Sequence, residues 1–426
     1  MRMRLSLGVL PSLRELFGGH VDAGNREASR TGVMHLDSPI LAQPARAGAE
    51  DASRRTPLNL TLRSQRRAHF EEALRARVVG QEEAVRKIAC LYQIFQAGMA
   101  SPNRPVGNIL LLGPTGSGKT HVVESAADIL FGDPAALVKV DCAEFQHSHE
   151  ISKLIGSPPG YVGHRVTEPL LSQRRLNLYT TQRDPLVLVL FDEIEKASSA
   201  LWQLLLGVLD KGTLTLGDGS KVDFCKTMLF MTSNLGAREM NELLTGTIGF
   251  APARGSGLEK SVLESKIHRT ALEAARKTFA PEFMNRIDEI VVFRNLARDD
   301  FRQILYLELG EVQRRINRGR GAAFTFTLTE DAEEFLLKRG FDAQYGARHL
   351  KRAIERHVVQ GLASLRSSGQ IFKGDKVILD FDHEKVRISF FREEIRKRAA
   401  AASVRAGVLS GLPGIRPLAA QRSLLG

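Results

Sequence analysis

The chain has 426 residues, of which 43% are hydrophobic, and carries a formal net charge of +12. This length predicts two or three packed domains, and no apolar run is long enough to span a bilayer, which argues against an integral membrane protein. The three cysteines are too far apart for a C-x-x-C zinc module or a disulfide framework. We therefore expect a cytoplasmic protein in a reducing compartment.

The positive charge raises the question of nucleic-acid binding. Much of it lies towards the chain ends, in runs such as Arg54-Arg55, Arg66-Arg67 and Arg396-Lys397-Arg398. Charge of this kind is more often a solvated face or tail than a binding surface, so we favour protein over nucleic acid as the partner.

The N-terminal segment, residues 1–65, is rich in Gly, Ala, Arg and Ser without a sustained hydrophobic period, and we expect it to be largely disordered. Its basic, then apolar start is interrupted by Pro11, Arg14 and Glu15, which argues against a signal peptide. Two helices are predicted next, over 64–77 and 82–98.

Five apolar runs predict the parallel strands of a doubly wound α/β sheet, whose ligand site would lie outside the carboxyl ends of the strands. They cover residues 106–112, 136–140, 186–191, 227–231 and 289–293. Helices are predicted over 120–130, 169–181, 201–209 and 262–279, and a hairpin over 212–224. We assign this large domain to residues 66–295.

The pattern changes after residue 295. Helices are predicted over 299–317, 329–339 and 347–365, and strands over 325–328, 376–381 and 385–390. This arrangement of helices and strands predicts a small α+β domain over 296–392. We expect a mobile tail over 393–426.

A glycine-rich loop follows the first strand and opens a helix, and it matches the pattern G-x-x-x-x-G-K-[ST] of a P-loop. Backbone N–H groups in such a loop surround a polyphosphate, and the helix N-terminus adds partial positive charge. Lys119 would reach the outer phosphates and the Thr120 hydroxyl would bind Mg²⁺. The predicted nucleotide-binding residues here are Gly113, Pro114, Thr115, Gly116, Ser117, Gly118, Lys119, Thr120 and His121.

Three polar residues at strand ends suggest what the loop does. Asp192 would bind Mg²⁺ through its water shell, and Glu193 would polarise the attacking water. Asn234 could orient that water or sense the γ-phosphate. The loop alone fits kinases, GTPases and motors alike, whereas these residues favour hydrolysis of ATP with Mg²⁺ as cofactor.

Seven blocks of sequence, in family order, resemble the Clp-family AAA+ ATPases, and most closely the second ATPase module of ClpB- and ClpC-type unfoldases. The blocks are VVGQEEAV (78–85), GPTGSGKT (113–120), LIGSPPGYVGH (154–164), LFDEIEKA (190–197), MTSNLGA (231–237), PEFMNRIDEIVVF (281–293) and YGARHLKRAIER (345–356). The sequence shows no first ATPase module, so we expect a single-module protein.

This resemblance implies roles that the local pattern does not give. Val79 and Gly80 match the segment lining the adenine pocket, and Asn234 matches sensor 1. Arg286 matches the arginine finger that reaches the ATP of a neighbouring subunit, which implies a ring, in this family a homo-hexamer. Arg348 matches sensor 2, through which the small domain reports on the γ-phosphate.

The resemblance also implies a protein substrate. Tyr161 and Val162 match the aromatic pore loop, where an aromatic side chain can grip an extended polypeptide without reading its sequence. The hairpin over 212–224 resembles a second pore loop. One departure is His164-Arg165-Val166, which stands where ClpB-type proteins commonly carry acidic residues and puts carried-over substrate preferences in doubt.

The tripeptide Ile248-Gly249-Phe250 resembles the motif that docks ClpA, ClpC and ClpX onto the ClpP peptidase, which makes a ClpP-type peptidase a candidate partner. The sequence favours an ATP-dependent unfoldase or remodelling chaperone that threads polypeptide through a central pore. Two alternatives remain open: a nucleotide-gated scaffold or adaptor, and an AAA+ motor acting on nucleic acid. Cys142, His147 and His149 suggest a metal site only weakly, since no fourth ligand is evident.

Overall fold

The computed structural model describes residues 58–59, 63–157, 160, 168–180, 185–246, 257–319, 323–341 and 346–393. These residues form two compact units. The first runs to Asp300 and also includes Gly346 and Ala347, while the second comprises Phe301–Phe341 and the residues from Arg348 onwards. Within the described ranges, no helix combines the length and the apolar character needed to cross a bilayer.

The first unit is built on a parallel sheet of five strands. In chain order these are β1 (Gly107–Leu112), β2 (Val138–Asp141), β3 (Val187–Asp192), β6 (Thr227–Ser233) and β7 (Glu289–Val292). Their order across the sheet is β2-β3-β6-β1-β7, and every neighbouring pair is parallel. The predicted five-stranded, doubly wound α/β fold is confirmed.

Apolar cores cover both faces of this sheet. Alternate residues of one strand belong to different cores, so that Leu110 packs in one cluster and Ile109 and Leu111 in the other. Strands β1 and β6 are buried at every position, and β3 at all but its last. Burial on both faces explains why these strands are continuous apolar runs rather than alternating ones.

Nine helices of the first unit lie among the described residues. They are α1 (Gln65–Arg77), α2 (Glu82–Gln96), α3 (Lys119–Phe131), α4 (Ser152–Ile155), α5 (Gln173–Asn177), α6 (Ser199–Lys211), α7 (Ala237–Gly246), α8 (Gly257–Thr278) and α9 (Pro281–Met284). Buried residues of α1, α2 and α3 supply one core, and those of α6 and the end of α8 supply the other. The predicted hairpin consists of β4 (Thr213–Thr215) and β5 (Lys221–Asp223).

The helix predicted over 169–181 is shorter in the structure, where only α5 is helical. The backbone N–H groups of Leu170 and Leu171 donate to the carbonyls of Lys153 and Leu154, which holds this stretch outside a helix. Ser172 then caps α5 by accepting a hydrogen bond from the Arg175 N–H. Before α4, the chain forms two short 3₁₀ turns, Cys142–Glu144 and Ser148–Ile151.

The second unit contains four helices and a three-stranded sheet. The helices are α10 (Arg298–Arg318), α11 (Glu330–Gly340), α12 (Ala347–Ile354) and α13 (Gln360–Ser367); the strands are β8 (Thr325–Leu328), β9 (Lys376–Asp382) and β10 (Arg387–Arg392). Strand β9 is central, parallel to β8 and antiparallel to β10. The chain passes between the two units near the start of α10, and the domain limits inferred from sequence stay predictions.

Candidate functional site

The predicted P-loop joins β1 to α3 at the carboxyl edge of the sheet. Its backbone needs glycine at two positions. A Cβ on Gly113 would lie 2.8 Å from the Phe293 carbonyl oxygen, and Gly118, the N-cap of α3, has φ +100°. A left-handed N-cap turns the first N–H groups of α3 towards the open side of the loop, where they have no acceptor within the helix.

Lys119 begins α3, and its side chain lies across the loop. Its ammonium donates to the carbonyls of Gly113 at 2.7 Å and Pro114 at 2.9 Å, and to Asn234 Oδ1 at 2.8 Å. The residue is only 7% exposed. A positive charge is therefore held at the concave side of the loop, close to the helix N-terminus.

Asp192, at the end of β3, is held by two hydroxyls. Thr120 Oγ1 donates to Asp192 Oδ1 at 3.1 Å, and the Thr232 hydroxyl donates to the same oxygen. The Lys139 ammonium lies 3.6 Å from Asp192 Oδ2. The two residues predicted to hold Mg²⁺ are thus adjacent, and both offer oxygen, the donor atom that Mg²⁺ prefers.

Glu193 has an unusual backbone conformation. Its φ of 56° lies in the left-handed region, which only one other non-glycine residue occupies in the described part of the chain. Its N–H donates to Thr232 Oγ1 at 2.9 Å, and its carboxylate pairs with the Lys196 ammonium. The hydrogen bond that Lys196 donates to the Glu193 carboxylate raises the pKa of Lys196. Strained backbone of this kind persists where the surroundings enforce it, commonly at active sites.

The Asn234 amide joins the two halves of the site. Its oxygen accepts from Lys119, and its Nδ2 donates to Glu193 Oε1 at 3.3 Å. Its own backbone N–H donates to Glu195 Oε1 at 3.1 Å. One amide therefore lies between the residue predicted to bind phosphate and the residue predicted to activate water.

The loop also offers a test of whether a phosphate ligand fits. The Ser117 hydroxyl oxygen is buried and has no hydrogen-bond partner among the described residues. A buried polar atom without a partner is costly, so a ligand that supplies one is favoured. Together with Lys119 and the N–H groups at the start of α3, which have no acceptor within the helix, this donor set fits a polyphosphate.

Other residues predicted for the nucleotide site lie around its edge. Val79 and Gly80 are half-buried, and the nearest side chains to Gly80 are those of Arg294 and Asp300. His121 faces the end of α1, where its Nε2 lies 3.4 Å from the Arg77 carbonyl oxygen.

The two arginines singled out by resemblance have separate surroundings. Arg286 Nη1 donates to the Glu282 carbonyl at 2.8 Å, and Nη2 lies 3.8 Å from Asp210 Oδ2. Its side-chain contacts join it to α9 and α6, not to the loop. Arg348 belongs to the second unit and is exposed. Ala347, just before it, donates its N–H to the Gly116 carbonyl at 3.2 Å.

Several sequence predictions fall outside the described residues. These are the pore-loop residues Tyr161 and Val162 and the tripeptide Ile248-Gly249-Phe250. The imidazoles of His147 and His149 are described and stack on each other with ring centres 5.6 Å apart. Burial raises the pKa of the Cys142 thiol, and no His, Cys, Asp or Glu group in the described part of the chain has the arrangement of a metal site.

Sequence reasoning missed the importance of Thr232 and Gln81. Thr232 holds both Asp192 and Glu193, and Gln81 donates to the Ser117 carbonyl at 3.1 Å. The only signal for Thr232 was a hydroxyl at the end of an apolar strand. The only signal for Gln81 was its amide side chain directly after Gly80, and this does not indicate which distant residue the amide would contact.

Two family models match the chain. The AAA domain (Cdc48 subfamily) matches residues 104–290, and the C-terminal, D2-small domain of ClpB protein matches residues 296–379. Chaperone protein ClpB 1 of Thermosynechococcus vestitus is 38% identical over 78% of this chain and 35% of its own length. The ATP-dependent Clp protease ATP-binding subunit ClpC of Staphylococcus epidermidis is 35% identical over 80% of this chain and 40% of its own length.

Solved structures of Hsp104 are also similar to this chain. A closed-state cryo-EM reconstruction of Hsp104 with ATPγS and FITC casein matches 76% of this chain and 52% of that chain, with 30% identity and a TM-score of 0.62. The S. cerevisiae Hsp104:casein complex in its extended conformation matches 78% of this chain and 53% of that chain, with 30% identity and a TM-score of 0.65. The chain spans 35 to 40% of the length of the two curated relatives. It belongs to the Clp-family AAA+ ATPases, with an AAA domain followed by a small domain of the ClpB second-module type.

Proposed function

We propose that this protein is an ATP-dependent, ring-forming unfoldase or remodelling chaperone that threads protein substrates through a central pore. The observation that carries the proposal is the continuous set of contacts from Lys119 through Asn234 to Glu193, beside the pair Thr120 and Asp192. These residues belong to a Clp-type module, whose relatives include proteins named as chaperones and protease subunits.

In the proposed reaction, Lys119 and the N–H groups at the start of α3 bind the phosphates of ATP. Thr120 and Asp192 would hold Mg²⁺, which when bound neutralises charge on the phosphates. Glu193 accepts a proton from the attacking water, and Asn234 orients Glu193 by donating to its carboxylate. The hydrogen bond from Lys119 to Asn234 would break when the lysine binds a phosphate instead.

The surroundings of Arg286 support the proposed ring. Its side chain contacts Glu282 and Asp210 rather than the loop, which is the arrangement expected of an arginine that serves the site of a neighbouring subunit. We therefore propose a homo-hexamer with Arg286 as a finger in trans and Arg348 as the sensor of the small domain. The proposed domains remain 66–295 and 296–392.

Protein is the proposed substrate class. Two Hsp104 structures similar to this chain were solved with casein. We propose that Tyr161 and Val162 grip the polypeptide in the pore by apolar contact. Cys90, Cys142 and Cys225 are free thiols, which supports a proposed cytoplasmic location.

The test is Glu193→Gln, which keeps the size and the hydrogen-bond acceptor of the side chain but removes its basicity. The variant should bind ATP and assemble normally yet lose at least a hundredfold in hydrolysis rate, because proton transfer by a positioned base contributes about 10² to 10⁴ in rate. ATP turnover and light-scattering mass in ATP measure the two properties. Normal hydrolysis by the variant would refute the site.

A second function, regulation of a ClpP-type peptidase, is favoured by the match to a Clp protease ATP-binding subunit. The proposed docking residues are Ile248, Gly249 and Phe250. Phe250→Ala should abolish co-purification with ClpP while leaving ATP hydrolysis unchanged. Retention of ClpP by the variant would exclude this docking motif.

A further inference from the structure

We propose that Gln81 is a positioning residue that couples nucleotide occupancy of the loop 113–120 to the segment 294–300, which leads from β7 into α10. This inference rests on the proposed binding of ATP at the loop. Gln81 follows Gly80 and directly precedes α2, and it is 5% exposed.

The Gln81 amide joins two segments that are far apart in sequence. Its Nε2 donates to the Ser117 carbonyl at 3.1 Å and to the Arg294 carbonyl at 3.0 Å, and its Oε1 accepts from the Arg294 N–H at 3.2 Å. Both amide hydrogens and the oxygen are thus used. Water cannot readily replace these partners at a buried site, so the three contacts hold the loop and the 294–300 segment in register.

The contact with Ser117 bears directly on ligand binding. The Ser117 carbonyl and the Gly118 N–H belong to one planar, trans peptide, so they point in opposite directions. When the carbonyl points at Gln81, the N–H points away from it, and in the proposed binding mode this N–H donates to a phosphate. Gln81 therefore fixes a peptide orientation that phosphate needs, and a ligand that pulls on this N–H changes the contact with Gln81.

The other end of the connection is rigid. The Arg294 guanidinium makes a two-point pair with Asp300, with Nη1 to Oδ2 at 2.7 Å and Nη2 to Oδ1 at 3.1 Å. Asp300 is 8% exposed, and its Oδ2 also accepts from the Ala297 N–H at 2.7 Å. A shift of the Arg294 backbone is thus transmitted to Ala297 and Asp300, at the start of α10.

The experiment uses the full chain with Mg²⁺ and ADP as the probe. Hydrogen exchange is followed in peptides covering 113–120 and 294–300, and dissociation of a fluorescent ADP is timed. In the unmodified protein, ADP should slow exchange in both peptides. In Gln81→Met, which keeps the side-chain length without hydrogen bonds, ADP should dissociate about tenfold faster, the usual effect of one lost hydrogen bond. Protection should persist at 113–120 and disappear at 294–300.

Two further variants separate coupling from general damage. Arg294→Ala keeps the backbone groups bound by Gln81, and since Arg294 is exposed it should fold. It should bind ADP within about twofold of the unmodified protein, since the loop keeps its partners, and lose the protection at 294–300. Gln93→Met is the control and lies in α2, the helix that Gln81 precedes. It should change neither property, because the Gln93 side chain contacts Arg67 and not the loop.

The outcomes distinguish the two proposals. Failure of the unmodified protein to bind ADP would refute the proposed function itself. Binding of ADP that leaves exchange at 294–300 unchanged would overturn only the coupling. Unchanged protection at 294–300 in Gln81→Met would also overturn it, and if that variant does not fold, the same result in Arg294→Ala would do so.

Discussion

Glu193 pairs a chemical role with a backbone conformation that side chains disfavour. Its φ of 56° and ψ of 51° are held by the hydrogen bond to Thr232 and by the following 3₁₀ turn. For a non-glycine residue this region costs about 1 to 2 kcal/mol. The conformation aims the carboxylate at Asn234, so part of the folding free energy is given up to orient the proposed base.

The strain at Glu193 predicts that a glycine there makes the protein more stable than an alanine does, although both variants lose activity. Glu193→Gly removes the backbone strain, whereas Glu193→Ala keeps it, and both lose the same carboxylate contacts. The glycine variant should therefore be more stable to urea than the alanine variant, by about 1 kcal/mol in the free energy of unfolding. Neither should hydrolyse ATP. Equal midpoints for the two variants would show that the left-handed conformation carries no strain.

Charged and glycine residues of the site were predictable because their chemistry is local. Lys119 and Thr120 follow the fixed spacing of a strand–loop–helix motif, and Asp192 and Glu193 stand at the end of a buried apolar strand. Gln81 was not predictable, because its partner Arg294 is 213 positions away in the chain and an amide fits many environments. The sequence thus indicates which groups meet the ligand better than which groups hold them.

The strands were also predictable as elements, since burial on both faces makes each a continuous apolar run. The helix over 169–181 was not. The sequence predicted a helix there, but the carbonyls of Lys153 and Leu154 accept hydrogen bonds from the N–H groups of Leu170 and Leu171. Tertiary hydrogen bonds of this kind override local propensity, and no pattern within the segment signals them.

An irregular element in the second unit carries a titratable group. A π turn, Glu355–Val359, separates α12 from α13 and contains His357. The imidazole meets the Phe335 ring edge-on, with ring centres 5.2 Å apart. Burial, and then the charges of Arg356 and Arg339, lower the pKa of His357. Protonation of this imidazole is therefore less favourable in the folded state than in the unfolded chain.

The lowered pKa of His357 sets the direction in which pH changes the stability of the fold. As pH falls through about 6.5, the unfolded chain gains the proton first, so stability present above that pH is lost as acid is added. His357→Leu lacks this contribution and should lose less stability between pH 7.5 and pH 5. Urea unfolding followed by circular dichroism measures the difference, with His268→Leu in the first unit as the control. An identical pH dependence in protein and variant would contradict the assignment.

At the scale of the molecule, we propose that the active site is completed by a neighbouring chain. Phosphate and metal groups come from the loop and β3, while Arg286 contacts α6 and α9 on the same subunit. The buried Asn108 amide donates to the carbonyls of Leu209 and Arg286, which fixes the backbone of this arginine to β1. A rigidly held arginine that does not contact its own loop suits a role at a neighbour's site.

Assemblies mixed from two variants test whether Arg286 acts at the ATP site of a neighbouring subunit. Lys119→Ala removes the phosphate contact but keeps Arg286, and Arg286→Ala does the reverse, so each variant alone should lose at least about a thousandfold in hydrolysis. In an equal mixture, about a quarter of the subunit interfaces pair an intact Lys119 with an intact Arg286, and ATPase activity should recover to about that fraction. Mixing Lys119→Ala with a chain that carries both substitutions cannot restore any interface and should stay inactive. If the first mixture is equally inactive, Arg286 does not act between subunits, and the ring would have to be justified on other grounds.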